Sequence, residues 1–257
     1  MCFDLDSRPP IRPIAGGALD AAGFTLAAED GNRFAAYRAR AYQPTGAGIV
    51  VLPDVRGLHA YYEELALRFA EHGVDAVAFD YFGRTAGTEP RGPGFDHMAH
   101  VRQTTFEGLS ADLRAAAALL RSPEGGAVRS LFTIGFCYGG RVSLLAATLG
   151  LDLAGVIGFY GWPVGSFHAG MAAPADVASR MAAPVLAIFG GADEGIAPTD
   201  IAAFEGALTG AGIEHAILTY PNAPHSFFDR KAEAYASASA AAWEETLGFV
   251  RGHTARS

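Results

Sequence analysis

The sequence predicts an α/β protein with one mostly parallel central sheet, helices on both faces and an antiparallel hairpin at its N-terminal edge. Three observations predict it. Short apolar runs of strand length alternate with helical patterns along the chain, and strands joined through helices pair in parallel. Most of those runs are continuously apolar, as strands covered on both faces are. Half of the 257 residues are hydrophobic, and a single domain of this length buries roughly 70 to 75 % of its unfolded surface, so its core needs no staple.

The elements follow in order. After a Pro-rich leader through Pro13, the segments from Gly23 to Glu29 and from Arg33 to Tyr42 flank Asp30-Gly31-Asn32, a tight-turn signal that makes them a hairpin. GIVVLPD, from Gly48 to Asp54, reads as a buried strand, and the spacing of Leu65, Phe69 and His72 as a helix after it. VDAVAFD, from Val74 to Asp80, repeats the strand signal. The stretch from Tyr81 to Arg102 is rich in Gly and Pro and long for a connection, which marks it as a functional loop. From Arg102 to Arg121 the pattern is helical, with Phe106, Leu109, Leu113, Ala117 and Leu120 on one face and Ser122-Pro123 as the stop. SLFTIGF, LAGVIGFY, PVLAIFG and HAILTY then supply strands, separated by helical patterns over Arg141 to Leu149, Pro198 to Leu208 and Arg230 to Val250. With no internal repeat or Ser/Gly linker, residues 1–257 read as one domain.

A net charge of −8 excludes a nucleic-acid or anionic-membrane partner, because neither is attracted without a basic field. No apolar stretch reaches transmembrane length, Cys2 and Cys137 are too few for a disulfide framework, and MCFDLDSRPP lacks the pattern of a secretory leader. A protein of the reducing cytoplasm is expected. The sequence leaves its oligomeric state open.

IGFCYGG, from Ile134 to Gly140, sets a cysteine among glycines between a strand and a helix. This is the small-X-nucleophile-X-small elbow, in which glycines permit a sharp turn and the nucleophile stands at the strand's C-terminal end. The helix N-terminus beyond it favours a thiolate. Alternatively, Cys137 is a small buried hydrophobe in a tight turn. The rest of the chain decides between these readings, since an elbow nucleophile needs an acid and then a histidine after later strands. Asp193 and Glu194 follow PVLAIFG, and His225 follows HAILTY in a turn-rich loop. The expected triad is therefore Cys137 as nucleophile, His225 as base and Asp193 as the group that orients the imidazole, with Glu194 the weaker candidate for that last role.

The whole pattern resembles the dienelactone hydrolase family of α/β-hydrolases, carried by VVLPDVRG, AFDYFGR, GFCYGG, GGADEGI and APHSFFDR. The resemblance implies the α/β-hydrolase fold and places Cys137, Asp193 and His225 on the family's triad positions. It implies an oxyanion hole from the backbone amides of Val55 and Tyr138. Asp54 lies where the family's best-known members carry a glutamate that gates the thiol, one methylene longer. Arg84 matches an arginine that binds the substrate carboxylate, and Arg230 stands next to the position of a second such arginine, which Asp229 occupies. The expected activity is hydrolysis of a small ester or lactone, such as a carboxylated dienelactone, without metal or organic cofactor. A broad carboxylesterase or thioesterase and a catalytically silent binding module are the alternatives. Asp96, His97 and His100 in FDHMAH could suggest a metal site, but no further ligand cluster accompanies them, and a polar lid or helix cap is the expected role. Some of Phe159, Tyr160, Trp162, Phe167, Phe227 and Phe228, which follow strand ends, are expected to wall the pocket.

Overall fold

The computed structural model describes residues 3–167 and 170–255, so Cys2 lies outside the described residues. Its eight strands form one sheet: β1 (Ala18–Ala27), β2 (Arg33–Ala41), β3 (Ala47–Leu52), β4 (Val74–Phe79), β5 (Ser130–Phe136), β6 (Leu153–Phe159), β7 (Val185–Gly190) and β8 (His215–Tyr220), in the order β1-β2-β4-β3-β5-β6-β7-β8. β1 and β2 form the antiparallel edge, and β2 is antiparallel to β4. From β4 through β8 every pairing is parallel. The mostly parallel sheet and its hairpin are thus as the sequence predicts.

Residues in β3, β4, β5 and β7 are buried along their whole length, because both faces are covered. Two glycines of β6 show how closely. Gly155 and Gly158 point to opposite faces, and a Cβ on the first would overlap the Phe249 ring of α7 (Ala236–His253), while one on the second would meet Leu144 of α5 (Tyr138–Ala146) at 2.8 Å. On the α7 face, Phe69 of α1 (Ala60–Glu71) packs on Trp243 with ring centroids 4.8 Å apart.

Three boundaries differ from the sequence reading. The segment from Tyr81 to Arg102 contains two short helices, α2 (Gly83–Ala86) and α3 (His97–Val101), each too short to show a periodic face. α4 (Phe106–Arg121) starts at Phe106 rather than Arg102, because the Thr105 hydroxyl caps it by accepting from the Gly108 amide at 3.1 Å. α7 begins at Ala236 rather than Arg230, since the preceding residues engage the N-terminal leader. The Arg230 amide donates to Arg8 O at 3.0 Å, and the Ser7 hydroxyl donates to Asp229 Oδ2 at 2.7 Å. Phe3 and Ile11 anchor that leader in the core, with Phe3 stacked on Tyr61 at 4.0 Å. α6 (Pro198–Gly210) lies between β7 and β8.

Candidate active site

Cys137 occupies the turn between β5 and α5, 3 % exposed, with φ +55° and ψ −113°. A side chain held at positive φ is strained, and the surrounding contacts leave no alternative. A Cβ at Gly135 would overlap Gly139 O, one at Gly139 would overlap both Leu52 O and Pro53 O, and one at Gly140 would meet Phe159 O at 2.5 Å. The glycines therefore let α5 start directly over the ends of β3, β5 and β6. The Cys137 amide donates to Phe159 O at 3.0 Å, and the Arg141 amide to Cys137 O at 3.2 Å, which fixes the backbone on both sides.

The acid and the histidine follow β7 and β8, so all three side chains stand beyond the same C-terminal edge of the sheet. His225 Nδ1 lies 2.6 Å from Asp193 Oδ2, with both side chains largely buried. The other carboxylate oxygen accepts from the Gly195 amide at 2.9 Å, so the turn itself orients Asp193. Glu194, its neighbour, is exposed. His225 Nε2 is buried and has no hydrogen-bond partner among the described residues, which leaves it open to a reacting proton. Its ring is flanked by Tyr160 at 4.9 Å and Trp162 at 5.1 Å. Phe167 packs on Trp162 and on Tyr138, whereas Phe159, Phe227 and Phe228 belong to the buried core.

Leu52 pairs with Gly135, so Val55 and Tyr138 each stand three residues beyond facing positions in neighbouring strands. Asp54, 1 % exposed, is held by Arg56: Oδ1 accepts from its backbone amide at 2.8 Å and Oδ2 from Nη2 at 3.0 Å. Burial pushes its carboxyl upward, but His59 and Arg56 outweigh burial and hold it below its ordinary value. The Asp54 carboxylate is thus one half of an ion pair, an arrangement the sequence reading did not contain.

Two expectations meet a physical obstacle. The Arg84 guanidinium donates to Asp30 Oδ2 at 2.5 Å, Asp112 Oδ1 at 2.8 Å and Gly108 O at 3.2 Å, and so ties the β1–β2 hairpin to α4. It faces an open cavity of about 900 Å³ between that hairpin and α4, whose lining includes none of Cys137, Asp193 and His225. Arg230 is half exposed and pairs with Glu64 at 2.9 Å. Arg84 is therefore already countered by two carboxylates, whereas Arg230 shares its single carboxylate partner, Glu64, with Arg8. Asp112 is buried, and burial raises its pKa against the pull of Asn32 and Arg84. Arg84→Ala should accordingly cost about 1–3 kcal/mol in urea denaturation, by stranding Asp112, while turnover of carboxylated and neutral esters changes equally. A selective rise in KM for the carboxylated substrate would instead place Arg84 in the binding site.

Asp96 caps α3 by accepting from the Ala99 amide at 3.1 Å, and His100 stacks on Phe95 at 4.5 Å with Nδ1 2.9 Å from Thr85 Oγ1. Among the described residues no cluster of three candidate ligands forms a metal site. Sequence reasoning missed Arg56, Arg91 and Arg141. Arg91 donates to the buried Asp80 at 2.7 Å and lies over Phe82 and Phe95, which secures the long loop to the end of β4. Only Arg141 left a signal, a lone cation in an otherwise small and apolar helical run.

The model of the dienelactone hydrolase family matches residues 34–254. A carboxymethylenebutenolidase of Rhodococcus opacus is 30 % identical over 213 residues, spanning 80 % of this chain and 81 % of its own. An Escherichia coli K12 protein, provisionally named carboxymethylenebutenolidase, is 29 % identical over 242 residues, spanning 90 % of this chain and 86 % of its own. The crystal structure of a provisionally named dienelactone hydrolase from Klebsiella pneumoniae aligns with TM-score 0.77 at 26 % identity, covering 90 % of this chain and 99 % of that one.

Proposed function

The chain belongs to the dienelactone hydrolase family, with the α/β-hydrolase fold, and from that premise we propose that it cleaves a small carboxylic ester or lactone through an acyl-enzyme on Cys137. The observation that carries the proposal is the Asp193–His225 pair, whose Nε2 has no hydrogen-bond partner among the described residues, beyond the same sheet edge as a cysteine held at positive φ on a helix N-terminus.

In this reading His225 Nε2 takes the thiol proton and the Cys137 sulfur attacks the substrate carbonyl carbon. The carbonyl oxygen becomes an oxyanion held by the amides of Val55 and Tyr138. Collapse breaks the ester C–O bond, and His225 returns the proton to the leaving oxygen, which for a lactone stays tethered to the acyl group. Water then attacks the thioester with His225 as base, releasing the acid and the thiol. Asp193 holds the ring with Nε2 toward the reaction and stabilises the imidazolium. Asp54, clamped by Arg56, fixes the backbone that presents the Val55 amide. Apart from the attacking water, the steps use groups the chain itself supplies, and a catalytic thiol suits a reducing cytoplasm.

A second reading concerns the substrate. Arg84, the first of the two cations expected to hold a carboxylate, is occupied by Asp30 and Asp112, and this favours neutral aryl esters or thioesters over a carboxylated dienelactone. The test mixes enzyme with an activated aryl ester and follows the burst and the intact mass. One acyl group on Cys137 per chain is expected, followed by higher kcat/KM for neutral esters than for a carboxylated lactone. Turnover without a mass increment on Cys137 would sink the acyl-enzyme, and a preference for the carboxylated lactone would sink the second reading.

A further inference from the structure

We infer that Arg141 and Trp162 form a positioning strut that ties the helix behind the nucleophile to the turn bearing Asp193 and, through it, to His225. The inference rests on the triad proposed above but starts from an independent observation, a buried cation. Arg141 is one turn beyond Cys137 in α5 and only 1 % exposed. Burial lowers its pKa, and among the described residues no carboxylate lies within ion-pair distance. Its Nε has no partner among the described residues, and its two Nη groups donate to backbone oxygens of the segment after β6. Nη1 donates to Trp162 O at 3.1 Å and Val164 O at 3.3 Å. Nη2 donates to Gly165 O at 2.7 Å, Ala172 O at 2.8 Å and, weakly, Met171 O at 3.5 Å. Both ends of the segment therefore close on one side chain.

That segment then reaches the acid turn. Trp162 Nε1 donates to Gly195 O at 2.9 Å, the Gly195 amide donates to Asp193 Oδ1 at 2.9 Å, and Asp193 Oδ2 lies 2.6 Å from His225 Nδ1. The Trp162 ring also lies 5.1 Å from the His225 ring, inclined by 33°. Cys137 follows β5, whereas the acid and histidine follow β7 and β8 at the far side of the sheet, with β6 between. The strut bridges that gap from a helix whose first residue adjoins the nucleophile. Apolar side chains could bury the segment, but only a planar fork with several donors joins carbonyls from both its ends.

The test compares Arg141→Met, Arg141→Lys and Trp162→Phe. The sequence holds two tryptophans, so Trp243→Phe, in the core, leaves Trp162 as the single fluorescent reporter for the Arg141 variants. Arg141→Met is expected to increase acrylamide quenching of the part-exposed Trp162, to shift or broaden the downfield proton resonance of the His225–Asp193 hydrogen bond, and to lower kcat about ten- to a hundredfold, as a small misplacement does. KM for a neutral aryl ester should move far less. Arg141→Lys should recover part of each effect, since an ammonium offers three donors. Trp162→Phe should reproduce the loss in kcat and the change in the resonance without altering the buried cation, and it carries the test should Arg141→Met fail to fold. An unchanged resonance together with kcat within about twofold of wild type, in folded Trp162→Phe, overturns the strut. The resonance needs no substrate, so a wild-type enzyme that turns over no ester would end the functional reading alone.

Discussion

Cys137→Ala is expected to fold as the wild type does and to lose at least about a thousandfold in kcat, or about 4 kcal/mol of barrier. Folding should survive because alanine keeps the Cβ that the elbow already accommodates at φ +55°, and the restraining contacts come from Gly135, Gly139, Gly140 and the backbone of β3 and β6. Activity should not, because the proposed acyl-enzyme forms on the Cys137 sulfur and alanine offers no nucleophile in its place. The oxyanion hole alone would leave a residue of catalysis over water, which is why the loss has a floor. Cys137→Ser should also be strongly impaired, since a hydroxyl ionises far less readily than a thiol with its reference pKa of about 8.5. The measurement is steady-state hydrolysis of an activated aryl ester, with circular dichroism as the folding control. Retention of more than about a tenth of wild-type turnover by folded Cys137→Ala would end the cysteine mechanism.

The parts of the molecule legible in the sequence are those whose cause is local. A strand covered on both faces writes itself as a continuous apolar run, so β3 to β7 are visible directly. The elbow is visible because a helix starting over three strand ends tolerates nothing larger than hydrogen at Gly135, Gly139 and Gly140. Apart from the Arg56–Asp54 pair, what is not legible depends mostly on partners far along the chain. Arg84 reads as a free cation, yet Asp30 and Asp112, 54 and 28 positions away, claim it. Arg141 finds carbonyls 21 to 31 positions downstream, through a segment with no periodic signal. The leader shows too few apolar residues to announce itself, and only tertiary packing reveals that Phe3 and Ile11 are core. Such errors fall on cations because a guanidinium serves a substrate or a carbonyl equally well, and residue type cannot distinguish the two.

Asp193→Asn is expected to cost about a thousandfold in kcat or more, whereas Glu194→Gln should stay within about threefold of wild type. The two carboxylates are adjacent and end the same strand, so sequence position alone barely separates them. Geometry does: Asp193 is held by the Gly195 amide on one oxygen and faces His225 Nδ1 on the other, while Glu194 is exposed. An asparagine at 193 keeps the shape but can turn its amide toward the ring, which then carries its proton on Nε2 and cannot accept one from the thiol. It also removes the negative charge that stabilises the imidazolium, so proton transfer becomes unfavourable even when the ring is correctly placed. The loss should appear in kcat and only weakly in KM, because an orienting carboxylate acts through His225 rather than on the substrate. A parallel measurement with iodoacetamide separates the two contributions: Cys137 alkylation should slow in Asp193→Asn, where the base is disabled, and remain normal in Glu194→Gln. Equal losses in the two variants, or the reverse order, would move the acid to Glu194 and require the 193–195 turn to rearrange on substrate binding.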